Sequence, residues 1–384
     1  MPTTTDVLIV GAGPVGLALS RWLREAGADH VVVGTPMAFW TASMPAGMYL
    51  RSDREWHLDP CGVLTLDRFC ETRGLGRADV EPLSIDLYLA YARWFQDEAR
   101  LEAEAATVER LERDGAAGEF RVALADGRAL RARRIVLALG LQYFAHVPED
   151  LARRLPAGRY RHSRDVVDFR PLRGRRVLVI GGRQGAFEWA ALMNEAGAAM
   201  VDVAHRHESP RFAVSDWSWV APAVARFDRE PGWYRQLSAE ERERVNQRLW
   251  AEGRLKIEPW LEARCRTERI RVRPRTQVAS TSIQADRTIA ATLETGETVG
   301  IDEIVLATGY RPEIAKVPFL ARGDLLAGLE TREGCPVLDD GLQTSVRGLF
   351  ATSVLATKDF GPFFGFTVAV HASARLIGRA LAAS

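Results

Sequence analysis

The residues with the clearest chemical meaning in this chain are glycines. Gly11-Ala12-Gly13-Pro14-Val15-Gly16 follows an apolar run, Val7-Leu8-Ile9-Val10, and precedes Leu17-Ala18-Leu19-Ser20-Arg21-Trp22-Leu23. Apolar run, glycine turn and amphipathic stretch read as strand, turn and helix. In that setting Gly11 makes the turn tight, Gly13 lets the backbone approach a pyrophosphate, and Gly16 lets the helix pack closely on the strand. The unpaired N–H groups of the helix start, behind Pro14 and Val15, then face phosphate. The next strand, His30-Val31-Val32-Val33, runs into Gly34 and Thr35, where an acidic residue usually bonds the ribose hydroxyls. The Thr35 hydroxyl or backbone groups are expected to make that contact instead.

A second set of the same design begins at Arg176-Val177-Leu178-Val179-Ile180. It continues as Gly181-Gly182-Arg183-Gln184-Gly185-Ala186, then Phe187-Glu188-Trp189-Ala190-Ala191-Leu192. The spacing is G-x-G-x-x-A with Arg183 in the middle glycine's place. That costs close backbone approach and puts a guanidinium where phosphates would lie, as a ligand or as an obstacle. The following strand, Met200 to Ala204, ends in His205-Arg206-His207. A basic residue there suits a 2′-phosphate and so NADPH; the alternative is a solvated arginine at a strand end.

Two further repeats bracket the second set. Arg134-Ile135-Val136-Leu137-Ala138-Leu139-Gly140 and Glu303-Ile304-Val305-Leu306-Ala307-Thr308-Gly309-Tyr310 are apolar strands ending in a glycine turn. Each follows a hairpin announced by Asp126-Gly127 or Thr295-Gly296. The chain therefore holds two copies of one plan. The fold class expected is α/β, with two Rossmann-like three-layer dinucleotide-binding domains, the second inserted in the first. The first takes residues 1–165 and 301–384, and the second 166–300. Between about 209 and 260 the pattern departs from a bare nucleotide fold and carries half of the ten tryptophans. Leu237-Ser238-Ala239-Glu240-Glu241 reads there as a helix N-cap and acidic first turn. This insertion is expected to roof a substrate channel or simply to pack.

The bulk properties remove several classes. The 51 Lys+Arg against 50 Asp+Glu leave no global field for nucleic acid or an anionic membrane. Cys61, Cys70, Cys265 and Cys335 form no C-x-x-C or C-x4-C pair and no metal spacing, so no metal site is expected. No leader pattern and no apolar run of about 18 residues is present, which reads as a cytoplasmic protein with no membrane partner. No persuasive Ser/His/Asp triad appears.

With these motifs in place, the chain resembles the flavoproteins with two dinucleotide-binding domains. It looks most like the single-component flavin-containing monooxygenases, the group that includes Baeyer–Villiger and N-hydroxylating enzymes. The likeness extends to Gly158-Arg159-Tyr160-Arg161-His162, which keeps a G-x-x-x-H spacing although Pro156 replaces the leading Phe. It extends also to Ala307-Thr308-Gly309-Tyr310-Arg311-Pro312. For His162 the plainer reading is a loop histidine bonded to backbone. The resemblance implies FAD on Gly11, Gly13 and Gly16, with Pro14, Val15, Thr35, Val108 and Gly140 beside it. It implies NADPH on Gly181, Gln184, Ala186 and Arg206, with Arg183, His205 and Gly309 nearby.

Other expectations follow from the same likeness. Related reductases hold the ribityl chain with Gly-Asp where this chain has Ser353-Val354. The loop 359–365, with Asp359, Phe360 and Gly361 as its cofactor contacts, is expected over the isoalloxazine, with an aromatic core plug as a reading that can hold beside it, and the final helix should point its positive end at the flavin. The stretch Met44–Ser52 is expected along the flavin, which makes Arg51 the catalytic candidate, a cation facing flavin or peroxide; a surface salt bridge is the blander alternative. The implied activity passes hydride from NADPH to FAD. O2 then gives a C4a-(hydro)peroxide that oxygenates a small organic molecule. An FAD-dependent NAD(P)H reductase that does not activate oxygen, or a weakly active redox sensor, would show the same motifs. A disulfide reductase is disfavoured by the missing cysteine pair, and a single-Rossmann aromatic hydroxylase by the second glycine motif.

Overall fold

The structure is a computed structural model that describes residues 3–114 and 118–383. Strand β1 (Thr3–Val10) leads through the first glycine turn into helix α1 (Pro14–Glu25) and strand β2 (His30–Val33). Val7, Leu8 and Ile9 are all buried, so the run is apolar on both faces, as a parallel strand covered on two sides must be. Helix α2 (Ile85–Ala99), capped by the Ser84 hydroxyl on the Leu87 N–H, packs its Tyr88, Tyr91 and Phe95 inward. Strands β3 (Val108–Arg113), β4 (Phe120–Leu124) and β5 (Ala129–Leu137) then form an antiparallel hairpin pair. β5 runs parallel to β1 in the register Leu8↔Ile135, giving the order β2-β1-β5-β4-β3.

The chain then builds a second sheet of the same kind. β6 (Tyr160–His162) comes first, then β7 (Arg176–Ile180), helix α3 (Gln184–Glu195) and β8 (Met200–Ala204). The insertion follows, with its longest helix α4 (Ala239–Gly253) opened by a capping box between Ser238 and Glu241. β9 (Ile270–Arg273) returns to the sheet. The antiparallel strands β10 (Val278–Ile283), β11 (Ile289–Leu293) and β12 (Thr298–Ile301) repeat the hairpins of the first unit. β13 (Glu303–Leu306) closes a parallel sheet of order β9-β8-β7-β13-β6.

β14 (Leu349–Ala351) then rejoins the first sheet, pairing Leu349 with Ile135. β5 serves both partners on one edge: its first residues take β4 and its last take β14. Helix α5 (Val370–Ala383) crosses α1 so closely that a Cβ on Gly378 would fall 2.2 Å from the Trp22 ring.

The nested two-domain architecture matches the expectation, but its boundaries need correction. β6 precedes residue 166 and β13 follows residue 300, yet both strands pair within the second sheet. β7 offers an open edge that takes β13, and β13 in turn takes β6. The second sheet therefore runs from Tyr160 to Leu306 and crosses both expected bounds.

The insertion is not a free roof. Val220, Val224, Phe227, Trp233 and Tyr234 belong to the core of the first domain, not to that of the second. Phe227 is fully buried, with ring centroids 5.4 Å from Phe360 and 5.2 Å from Phe364. Asp228 accepts both arms of the Arg375 guanidinium from α5, at 2.9 and 2.7 Å.

Candidate functional site: two glycine turns on parallel strand ends

A cavity of about 290 Å³ opens where the C-terminal ends of β1, β5 and β14 meet. That is where open parallel sheets bind ligands. Gly11, Gly13, Pro14 and Val15 form one wall, and Thr35 and Val108 a second. Gly140 lies beyond them. The turn is tight because backbones touch: a Cβ on Gly11 would lie 2.4 Å from the Ala138 carbonyl oxygen, and one on Gly16 would lie 1.9 Å from that of Gly11. Gly13, by contrast, faces open space, with nothing within 4 Å of its would-be Cβ. As the N-cap of α1 it offers no side chain, so the first N–H groups of the helix stay free for an anion.

Gly34 explains the missing acidic residue. Its φ is +138°, and a Cβ there would come within 3.2 Å of the Ala12 nitrogen. A carboxylate-bearing residue could not take that backbone without strain. The exposed Thr35 and the nearby Thr107 supply hydroxyls to the same rim.

The far wall is aromatic. Phe39, Trp40, Tyr143, Phe364 and Phe366 all line it, and Thr367 and Val370 bring the start of α5 to the edge. Asp359, Phe360 and Gly361 do not reach the cavity. Asp359 is 2% exposed, accepts from the Leu338 N–H at 2.9 Å and pairs with Arg332. Phe360 fills the core against Phe227, and Gly361 packs on Tyr234. The expected loop reaches the cavity only through its end, Phe364 and Gly365, with Phe366 and Thr367 following, while its first residues form the core plug.

Ser353 was not anticipated as a site residue beyond its alignment with a glycine of related reductases. It lines the cavity at φ +58°, a left-handed conformation that costs a non-glycine residue about 1 kcal/mol.

Arg51 is turned away from this cavity. Its Nε donates to Glu258 at 2.8 Å, Nη1 to the Gly253 carbonyl at 2.6 Å and Nη2 to the Ser215 hydroxyl at 2.5 Å. The guanidinium lies over Trp217. Its polar fork is spent on the insertion, and the ion pair is half-buried rather than on the surface.

The second turn repeats the first. A Cβ on Gly181 would lie 2.4 Å from the Ala307 carbonyl oxygen, the counterpart of Gly11 on Ala138. Ala186 is buried on the first turn of α3. Gln184 bridges two chains of bonds: its Oε1 accepts from the Glu258 N–H at 3.0 Å and its Nε2 donates to Glu188 at 3.1 Å. His205 packs its ring on Gly182 and gives its Nδ1 proton to the His207 carbonyl, 2.9 Å away. Burial lowers the pKa of that imidazole, so it is neutral near pH 7. Arg206 is exposed at the end of β8. Gly309, at the crossing between domains, accepts from the His146 N–H at 2.9 Å and from His162 Nε2 at 3.0 Å. His162 Nδ1 accepts from the Arg164 N–H, so both ring nitrogens serve backbone.

Glu188 escaped the sequence reading altogether. It is fully buried on α3 and accepts from the Tyr49 N–H at 3.2 Å, from Gln184, and from Arg264 at 3.4 Å. Burial pushes its carboxyl up to about 7. A polar residue on the core face of an amphipathic helix was the available signal.

The four cysteines are free, and among the described residues no three His, Cys, Asp or Glu side chains form a metal-binding group. Among them, too, no helix is long and apolar enough to cross a membrane. A family model for pyridine nucleotide-disulphide oxidoreductases matches residues 5–358. The chain belongs to the pyridine nucleotide-disulphide oxidoreductase family. This family member is 33% identical over 212 residues to an FAD-dependent urate hydroxylase of Xanthomonas campestris pv. campestris, covering 52% of this chain and 44% of that protein. It spans about half the length of the curated relatives it matches.

Solved structures resemble it over nearly their whole length. An ornithine hydroxylase from Pseudomonas aeruginosa has TM-score 0.79, 18% identity and 99% of both chains covered. The ornithine N-hydroxylase of Kutzneria sp. 744, solved with reduced FAD, NADP+ and L-ornithine, has TM-score 0.80, 18% identity and the same coverage. At that identity the likeness establishes the fold: this pyridine nucleotide-disulphide oxidoreductase family member shares the nested two-domain architecture.

Proposed function

We propose that this protein is an FAD- and NADPH-dependent monooxygenase that uses O2 to oxygenate a small organic molecule. The observation that carries the reading is the pairing of two glycine turns of matching geometry, one opening on an aromatic-lined cavity and the other with Arg183 at the head of its helix, in a chain whose four cysteines are all free. Relatives named as a urate hydroxylase and as ornithine hydroxylases support oxygenation.

FAD, when bound, supplies the hydride acceptor and the site of reaction with oxygen. The chain's own residues do the rest. Gly13 and the uncapped start of α1 receive the pyrophosphate. Thr35 and Thr107 offer hydroxyls to the ribose. Phe364, Phe366 and Trp40 exclude water from the reacting face. The positive end of α5, brought to the rim by Thr367 and Val370, favours negative charge beside it by about 0.5 kcal/mol. On the second turn Gly181 and Ala186 pack the helix, and Arg206 takes the 2′-phosphate.

The test is anaerobic reduction of the purified flavoprotein with NADPH, followed by admission of O2 in a stopped flow. Rapid bleaching is expected, then a transient absorbance distinct from reduced and oxidised flavin, lasting seconds or longer while NADP+ is present. Direct reoxidation without it would mark a reductase that does not activate oxygen.

A further inference from the structure

Two guanidinium groups stack on one indole beside the second glycine turn. Arg183, the N-cap of α3, has its guanidinium carbon 4.6 Å from the centre of the Trp250 ring. Arg254, one residue past the end of α4, lies 5.5 Å from the same ring. Neither guanidinium makes an ion pair or hydrogen bond with any described residue. Other arginines at comparable depth are matched: Arg51 with Glu258, Arg264 with Glu188 and Glu195, Arg273 with Asp202.

An unmatched half-buried cation is costly. Its desolvation penalty exceeds what stacking on an indole returns. Two like charges on one ring add repulsion, and the uncapped start of α3 adds further positive field. Burial lowers the Arg254 pKa with no carboxylate to offset it. Trp250 is 42% exposed, so the cluster fronts solvent and an anion can reach it.

We propose that the insertion completes the second nucleotide site, with Arg254 and Arg183 together taking the pyrophosphate of the nicotinamide nucleotide and Trp250 holding the two guanidiniums in place. This rests on the NADPH reading of the second turn. Arg183 stands where a glycine would let backbone approach the pyrophosphate, so side chains make that contact here. Arg206 lies at the end of β8, the ribose end of such a site, which leaves the turn itself to the diphosphate.

The experiment is calorimetric titration of the purified flavoprotein with NADP+ and, separately, NAD+, in wild type, Arg254→Met and Arg254→Lys. Arg254→Met is expected to raise Kd for both nucleotides by a similar factor, about tenfold or more, the size of one lost charge-assisted bond. The dependence of Kd on salt should shrink. Arg254→Lys, which keeps the charge but not the planar stack, should fall between, with flavin content equal in all three. Unchanged binding in Arg254→Met overturns the proposal, as does weakening confined to NADP+, which would place the contact at the 2′-phosphate. If the wild type binds neither nucleotide, the NADPH reading fails and takes this inference with it.

Discussion

Gly13 and Gly16 stand three residues apart in one turn and answer to different forces. A methyl on Gly16 would collide with the Gly11 carbonyl, an atom of the backbone that cannot step aside. Gly16→Ala should therefore cost about 2–3 kcal/mol and lower Tm, whether or not flavin is bound. A methyl on Gly13 meets no protein atom, and that residue's extended backbone suits alanine. Gly13→Ala should leave the Tm of the flavin-free protein unchanged and reduce flavin content, read as the ratio of flavin to protein absorbance. If both variants behaved alike, the open space over Gly13 would not be where the pyrophosphate lies. The glycine spacing was legible from the residues alone. Ser353 was not, because a left-handed serine is a property of the chain path and has no compositional sign.

At the scale of elements, the insertion does more structural work than its sequence suggests. Half of the tryptophans fall in it, and a channel roof was one reading. Phe227 instead plugs the first domain's core, and Arg51 ties Ser215, Gly253 and Glu258 to the loop that follows α1 and β2. Phe227→Ala should cost about 3–5 kcal/mol and release flavin, because its ring supports Phe364 in the cavity wall. Arg51→Met should destabilise by on the order of 3 kcal/mol, since it strands the nearly buried Glu258 carboxylate. The rate of flavin reoxidation by O2 should stay unchanged, which stopped flow can check. A slowed reoxidation at unchanged Tm would return Arg51 to the flavin. Strand and helix positions, the hairpin turns and the N-cap at Ser238 could all be read from pattern. Which domain the insertion packs on could not, because aromatic residues carry no address.

Across the whole molecule, the two domains are joined by a buried ring of bonds. Tyr49 donates to Glu188, Gln184 links Glu188 to Glu258, and Glu258 accepts from Arg51 on the same loop as Tyr49. Glu188 makes this junction sensitive to pH. Its carboxyl titrates near 7 when folded against an ordinary 4.5 unfolded, so between those values the folded state holds more protons. Its stabilising effect is complete below about 4.5 and is lost as pH rises through about 7, with a span on the order of 3 kcal/mol. Urea unfolding of wild type and Glu188→Gln from pH 5 to 8 should show a falling stability in the first that is absent in the second. Parallel curves would mean that Arg264 keeps Glu188 ionised throughout.

What the sequence by itself determined is the repeated plan: two strand–glycine–helix units, each followed by hairpins and a crossing strand, nested one within the other. Those features rest on local rules, the period of apolar residues and the backbone freedom of glycine, and local rules are written in neighbouring residues. Only the tertiary structure decided that β6 and β13 join the second sheet and that Arg51 faces the insertion. It alone turned Asp359 inward and brought Arg183 and Arg254 to the same indole. Each of these depends on which surfaces compete for a strand edge, an apolar ring or a charge once the chain has closed, and that competition is settled between residues far apart in the chain.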